Sequence, residues 1–215
     1  MEEIEISLQN PFTMGIAGPT KSGKTTFVGN LLKTRLSTYT DSPNKVFYFY
    51  NKAEPEDENL QNIVFEFVNG MPDENFVKEA YETYGKNLTF IIDDQALNIN
   101  KQVAELFTVG SSRYKCNVIY ITQNLFSRKD EAREISLNCT YYVLFKNPRD
   151  SLSVQSFFKQ YDPGFSKTLL NIYREATEKP YSYLFIDFHQ KTPKENRLFS
   201  NIFEEDGTEP KLYRY

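Results

Sequence analysis

The chain has 215 residues, enough for one α/β domain with a substantial core and too few for a second catalytic domain. A 40% hydrophobic content with mixed charge describes a folded protein, and a net charge of −4 does not mark a general polyanion binder. One histidine, His189, and two cysteines, Cys116 and Cys139, leave little material for a zinc site, a Ser/His/Asp triad or a disulfide framework. Both cysteines adjoin strand-like runs and read as reduced, buried thiols. No apolar run reaches the length of a membrane span, and the opening MEEIEISLQ is acidic, unlike a signal peptide, so an intracellular protein is expected. The 18 Phe and 15 Tyr, with no Trp, point to aromatic-rich packing.

In chain order, residues 1–9 alternate Ile4, Ile6 and Leu8 with polar neighbours, the pattern of a half-buried edge strand. Phe12–Ala17 is a short apolar run. A glycine-containing turn follows, and from Thr25 the residues Phe27, Val28, Leu31 and Leu32 recur at helical spacing. Lys45–Tyr50 reads as a strand, 51–59 as a charged loop, Ile63–Val68 as a further short strand and Asp73–Tyr84 as a helix with Asp73 near its start. Leu88–Asp94 is an aliphatic strand ending in two carboxylates. Val103–Val109 is helical, Asn117–Thr122 a strand, Arg128–Ser136 a short helix and Thr140–Lys146 a strand. Residues 150–160 and 164–177 are helices, and Tyr181–Phe188 is a late strand. This alternation predicts an α/β domain over 1–203, a mainly parallel central sheet with helices on both faces, with 204–215 a loosely held charged tail.

The strand–turn–helix unit at the start carries the first chemical signal. Gly18, Pro19, Thr20, Lys21, Ser22, Gly23, Lys24 and Thr25 spell Gly-x-x-x-x-Gly-Lys-Thr, with Thr26 next. Such a loop turns backbone N–H groups inward as a nest, and the following helix points its positive end at the same spot. Lys24 would reach the β- and γ-phosphates of a nucleoside triphosphate, and the Thr25 hydroxyl would ligate Mg²⁺. Lys21 reads as a solvated loop lysine that could also touch phosphate.

In a parallel sheet ligands gather at the carboxyl ends of the strands, so the partners of this loop should come from other strand ends. Asp93 would hold Mg²⁺, and Asp94 would polarise the attacking water; the same pair could serve only as a turn or a helix cap. Asp94 is one methylene shorter than the Glu more usual at that position. At the end of the next strand, Gln123 would act as a sensor of the γ-phosphate. A stabilising arginine is missing from the loop itself, and Arg113, just before the Gln123 strand, is the first choice, with Arg133 and Arg149 as alternatives.

The segments GPTKSGKTTF, TFIIDD, SSRYKCNVIYITQNLF, EAREISLNCTYYVLFKNPRD and PYSYLFIDF resemble, in this order, the DNA-packaging ATPases of Polinton/Maverick elements and adintovirus-like viruses, in the FtsK/HerA group of P-loop ATPases. The similarity runs from about Asn10 to about Phe203. It implies a RecA-like (ASCE) P-loop NTPase in which the strand ending at Gln123 lies between the phosphate-loop strand and the strand ending at Asp93. It further implies an ATP- and Mg²⁺-dependent motor forming a homo-oligomeric ring, which moves double-stranded DNA into a capsid through a capsid or portal-vertex protein, without a membrane. The setting would be the host nucleus or a cytoplasmic viral assembly site. Arg113 falls, displaced by about one residue, where FtsK-type motors place an arginine acting in trans. Lys21 stands where glycine is often found, and no separate nuclease or DNA-binding domain is visible.

Three other readings compete. In a small P-loop nucleoside or nucleotide kinase, Arg128–Arg133 would serve as the lid. A subunit that uses nucleotide only to fix an interface is disfavoured by the intact Lys24, Thr25, Asp93 and Asp94. A GTPase fits less well, because Asn51-Lys-Ala-Glu54 ends in Glu. From Lys101 to Arg149 eight basic residues face four acidic ones, a segment that an assembly could present to a polyanion or leave as a solvated mixed surface.

Overall fold

The structure, a computed structural model, describes residues 6, 8–34, 45–51, 55–93, 99–126, 130–203 and 209–215. Asp94, Arg128, Lys129 and most of the expected edge strand over 1–9 lie outside the described residues. The elements, in order, are β1 (Thr13–Ala17), α1 (Lys24–Thr34), β2 (Lys45–Tyr50), α2 (Glu58–Ile63), β3 (Glu66–Asn69), α3 (Glu74–Tyr84) and β4 (Leu88–Asp93). Then follow α4 (Lys101–Glu105), a π-helical turn at Leu106–Gly110, α5 (Ser111–Tyr114), β5 (Asn117–Thr122), α6 (Asp130–Leu137) and β6 (Tyr141–Phe145). The last part holds α7 (Ser151–Tyr161), α8 (Ser166–Ala176), β7 (Tyr183–Asp187), β8 (Leu198–Ser200) and β9 (Lys211–Tyr213).

All these strands join one 9-stranded sheet in the order β3-β2-β4-β5-β1-β6-β7-β8-β9. From β3 to β6 the pairings are parallel, and β7, β8 and β9 each run antiparallel to the strand before them. The central strands are apolar on both faces because both are covered. On one face Phe47, Phe90, Val118 and Tyr142 pack beneath α3, α4, α6, α7 and α8. Their strand neighbours Tyr48, Ile91, Ile119 and Val143 point the other way, into the cluster closed by α1 and α2. The two-residue period of a strand thus sorts one run of side chains into two cores.

Local chemistry sets the element ends. Asp73 caps α3 by accepting from Phe76 N at 2.7 Å, as its place in the sequence suggests, and Gly85 closes that helix at φ 78°. At the lower end of the sheet Asn117 accepts from Phe12 N at 3.0 Å and faces Thr89 Oγ1 at 3.4 Å, so a buried amide ties β1, β4 and β5 together.

Three boundaries depart from the pattern reading. Ile63 ends α2, and the strand begins only at Glu66, because the half-buried run is read equally well by a helix end. The Val103–Val109 helix is longer, continuing through the π turn and α5 to Tyr114. The end of the expected tail is ordered: β9 pairs with β8, Tyr213 is buried, and Tyr215 Oη donates to Tyr161 Oη at 2.9 Å.

Candidate functional site

The phosphate-loop sequence bridges β1 and α1. Gly18 N donates to Thr122 O at 3.2 Å, which pins the start of the loop to the end of β5. A Cβ on Gly18 would stand 2.6 Å from Phe145 Cβ and 2.7 Å from Ser22 Oγ, so the loop passes here only without a side chain. Ser22 N donates to Pro19 O at 3.3 Å, and Lys21 and Gly23 take φ values of 63° and 102°. These left-handed residues turn successive N–H groups toward one concavity. Phe27 N donating to Gly23 O at 2.8 Å then starts α1, whose first turn contributes the positive end of a helix dipole.

Lys24 folds back over this loop, its Nζ 2.8 Å from Gly18 O and 2.9 Å from Pro19 O. Ser22 Oγ is buried and has no hydrogen-bond partner among the described residues. A cradle of backbone donors, a lysine and an unmatched hydroxyl suits a group rich in acceptor oxygens, as a triphosphate is.

The end of β5 adjoins the loop, and the end of β4 lies one strand further out. β5 lies between β1 and β4, with Ala17 in register with Thr122 and Asp93 with Ile121. Gln123, half-buried, therefore follows directly beside the loop, in a turn closed by Asn124 N donating to Thr122 Oγ1 at 3.2 Å. Asp93 accepts from the Tyr48 hydroxyl at 2.6 Å. Burial, and then the Asp93 carboxylate, push the Tyr48 phenol well above its ordinary range, so it stays a donor. Tyr48 is a residue that sequence reasoning missed. Its one signal is a hydroxyl among the alternating apolar positions of KVFYFY.

Thr25 sits in the first turn of α1 and, with Asp93, supplies oxygens of the kind Mg²⁺ takes. Beside Lys24, Thr25 and Thr26 a cleft of about 640 Å³ opens on the β6 side, walled by Tyr181, Tyr183 and Phe203. These aromatic residues also escaped the sequence reading.

The arginines do not join this cluster in the same way. Arg113 lies on α5, leading into the start of β5 and so at the opposite end of the sheet from the loop. Its guanidinium is 3.6 Å from Glu74 Oε1, with both side chains more than half exposed, a pairing worth little. Arg133 is on α6 beside a small crevice with Leu125 and Gln160. Arg149 is exposed in the turn after β6, at the same end of the sheet as the loop.

A mostly parallel sheet of this order, with a phosphate-type loop after β1 and helices on both faces, is the RecA-like P-loop NTPase fold. Among solved structures the chain is similar to the genome packaging NTPase B204 from Sulfolobus turreted icosahedral virus 2 in complex with ATP-gammaS: the TM-score is 0.52 at 13% identity, covering 84% of this chain and 94% of that one. Lower scores relate it to the cytoplasmic domain of EssC (TM-score 0.41, 15% identity, 58% of this chain and 29% of that one). The Thermotoga maritima RuvB Holliday junction branch migration motor scores lower still (TM-score 0.38, 12% identity, 79% and 50%). At these identities the likeness to B204 establishes the fold, which agrees with the resemblance to packaging ATPases of the FtsK/HerA group. No protein-family model and no curated protein matches the chain. Among the described residues, no helix is long and apolar enough to cross a membrane.

Proposed function

We propose that the chain is an ATP-driven translocase that packages double-stranded DNA into a capsid, hydrolysing ATP between the subunits of a homo-oligomeric ring. The observation that carries this reading is the placing of three groups at one end of the sheet: the loop after β1, Gln123 after β5 beside it, and Asp93 ending β4 one strand further out. The backbone groups of Gly18–Thr26 hold the phosphates, and Lys24 exchanges its loop carbonyls for the β- and γ-phosphate oxygens. Thr25 and Asp93 hold Mg²⁺, which neutralises charge on the phosphates. Asp94 accepts the proton of the attacking water, and Gln123 reports whether the γ-phosphate is present.

Arg113 cannot reach the loop of its own subunit from the start of β5. Its guanidinium pairs, among the described residues, with the exposed Glu74, and in this reading it serves the site of a neighbour. DNA is held through its phosphates, without sequence preference and with strong dependence on salt. A capsid or portal-vertex protein docks the ring, in the host nucleus or a cytoplasmic assembly site. The B204 structure, that of a genome packaging NTPase with ATP-gammaS, supports this direction.

The test is steady-state ATP hydrolysis by the purified protein with and without long double-stranded DNA, while particle mass is followed in solution. Ring-sized particles with DNA-stimulated hydrolysis are expected. A monomer whose turnover appears only when a nucleoside acceptor is added would instead identify a kinase.

A further inference from the structure

The phosphate loop fixes one end of a nucleotide, and the other end must leave along one flank of β1. On the β5 flank stand Gln123 and Asp93, the groups that face the reacting phosphate. On the β6 flank lies the cleft of about 640 Å³. Its deeper wall is already packed: the Phe27 ring centroid is 4.8 Å from Tyr183 and 4.9 Å from Phe203, and Tyr183 Oη accepts from Ile202 N at 3.1 Å.

Tyr181 is different. Its side chain lines the cleft yet is 72% exposed, and its Cβ lies 3.5 Å from where a Cβ on Gly23 would stand. It occupies the third position of a turn, Lys179-Pro-Tyr-Ser182, closed by Ser182 N donating to Lys179 O at 3.3 Å, and its φ is 64°. Proline second and a positive φ third is the pattern of a type II turn, where the third place normally goes to Gly or Asn. Tyr181 is therefore a bulky side chain in a position that disfavours it, beside the phosphate loop and open to solvent, where it can meet a ligand of that loop.

We propose that this cleft takes the nucleoside of the bound nucleotide, with the Tyr181 ring as the face on which the base stacks. The proposal rests on the reading of Gly18–Thr26 as a triphosphate loop. Asn30 on α1 also lines the cleft. Every base has a π face, so a site built on stacking accepts ATP and GTP alike.

Calorimetric titration of the wild-type protein, Tyr181→Ala and Tyr181→Phe with ATP, GTP and inorganic tripolyphosphate, all with Mg²⁺, tests this. In the wild type ATP and GTP bind within about fivefold of each other and more tightly than tripolyphosphate. Tyr181→Ala weakens both nucleotides by about tenfold. It leaves tripolyphosphate unchanged, and Tyr181→Phe retains wild-type affinity. The proposal is overturned by unchanged nucleotide affinity in Tyr181→Ala, by an equal loss for tripolyphosphate, or by a hundredfold preference between ATP and GTP. Binding of tripolyphosphate as tight as ATP overturns the nucleoside site and leaves the loop standing. Binding of neither overturns the loop reading and this proposal with it.

Discussion

Tyr48 and Asp93 show how one buried side chain positions another. The tyrosine is fully buried on β2, and its hydroxyl reaches the carboxylate 2.6 Å away at the end of β4. In the proposed function Asp93 holds Mg²⁺, and loss of a bond that orients a metal-binding carboxylate typically costs about 10- to 100-fold in metal affinity or activity. Tyr48→Phe should therefore lower Mg²⁺-dependent hydrolysis by about tenfold and stability by about 1 kcal/mol. Magnesium titration of the ATPase rate and urea unfolding measure the two effects; a variant with wild-type magnesium dependence would remove Tyr48 from the site. The pairing was not legible in the sequence. Asp93 stood out at the end of an aliphatic run, whereas nothing local to Tyr48 says that β2 and β4 are neighbours.

The phosphate loop and the sheet's last strand illustrate the scale of elements. The loop was readable because its chemistry is local: two glycines and a Lys-Thr pair between an apolar run and a helical period dictate the turn. Gly18→Ala drives a Cβ against Phe145 Cβ and Ser22 Oγ, at 2.6 and 2.7 Å, and overpacking of this sort costs about 1–3 kcal/mol. A matching fall in urea midpoint with loss of ATP binding is expected. β9 was not readable, because Lys211–Tyr213 is short and charged and acquires its strand character only from the edge of β8. Deleting residues 209–215 strips Tyr213 from the core and Tyr215 from Tyr161, and should destabilise the protein by about 2–4 kcal/mol. A loose tail would leave the unfolding curve where it was.

For the whole molecule, two consequences of the packing are measurable. Both thiols are buried, and burial pushes Cys116 from 9.0 up to about 12 and Cys139 higher still. The unfolded chain ionises its thiols from about pH 9 while the folded one does not, so stability is fully present below pH 9 and declines as the pH climbs toward 12. At pH 11, about two units above the unfolded value, the loss should be about 3 kcal/mol per thiol, read from urea midpoints, and neither thiol should react with a disulfide reagent at pH 8 without denaturant. The second consequence concerns assembly. Lys24→Ala and Arg113→Ala should each lower hydrolysis by about a thousandfold or more, the second with ATP binding retained. Mixing the two variants should restore some activity, because the proposed ring would then contain interfaces with an intact lysine on one side and an intact arginine on the other; mixtures that stay inactive would overturn the proposed role of Arg113 in trans.

What the sequence determined by itself was whatever depends on neighbours within a few residues: the phosphate loop, the alternation of strands and helices, the cap at Asp73 and the carboxylate ending β4. It also carried, through the resemblance of its ordered motifs, the placement of the Gln123 strand between the other two, which the pairing of β5 with β1 and β4 bears out. Tertiary structure alone decided which residues far apart in the chain meet. It put Tyr48 on Asp93 and Tyr181 against Gly23, sent Arg113 to the opposite end of the sheet and made an edge strand of Lys211–Tyr213. The reason is physical. Turn and helix signals act through bonds spanning a few residues, whereas a side chain's partner across a sheet depends on strand order, which is chosen by the burial of both faces at once.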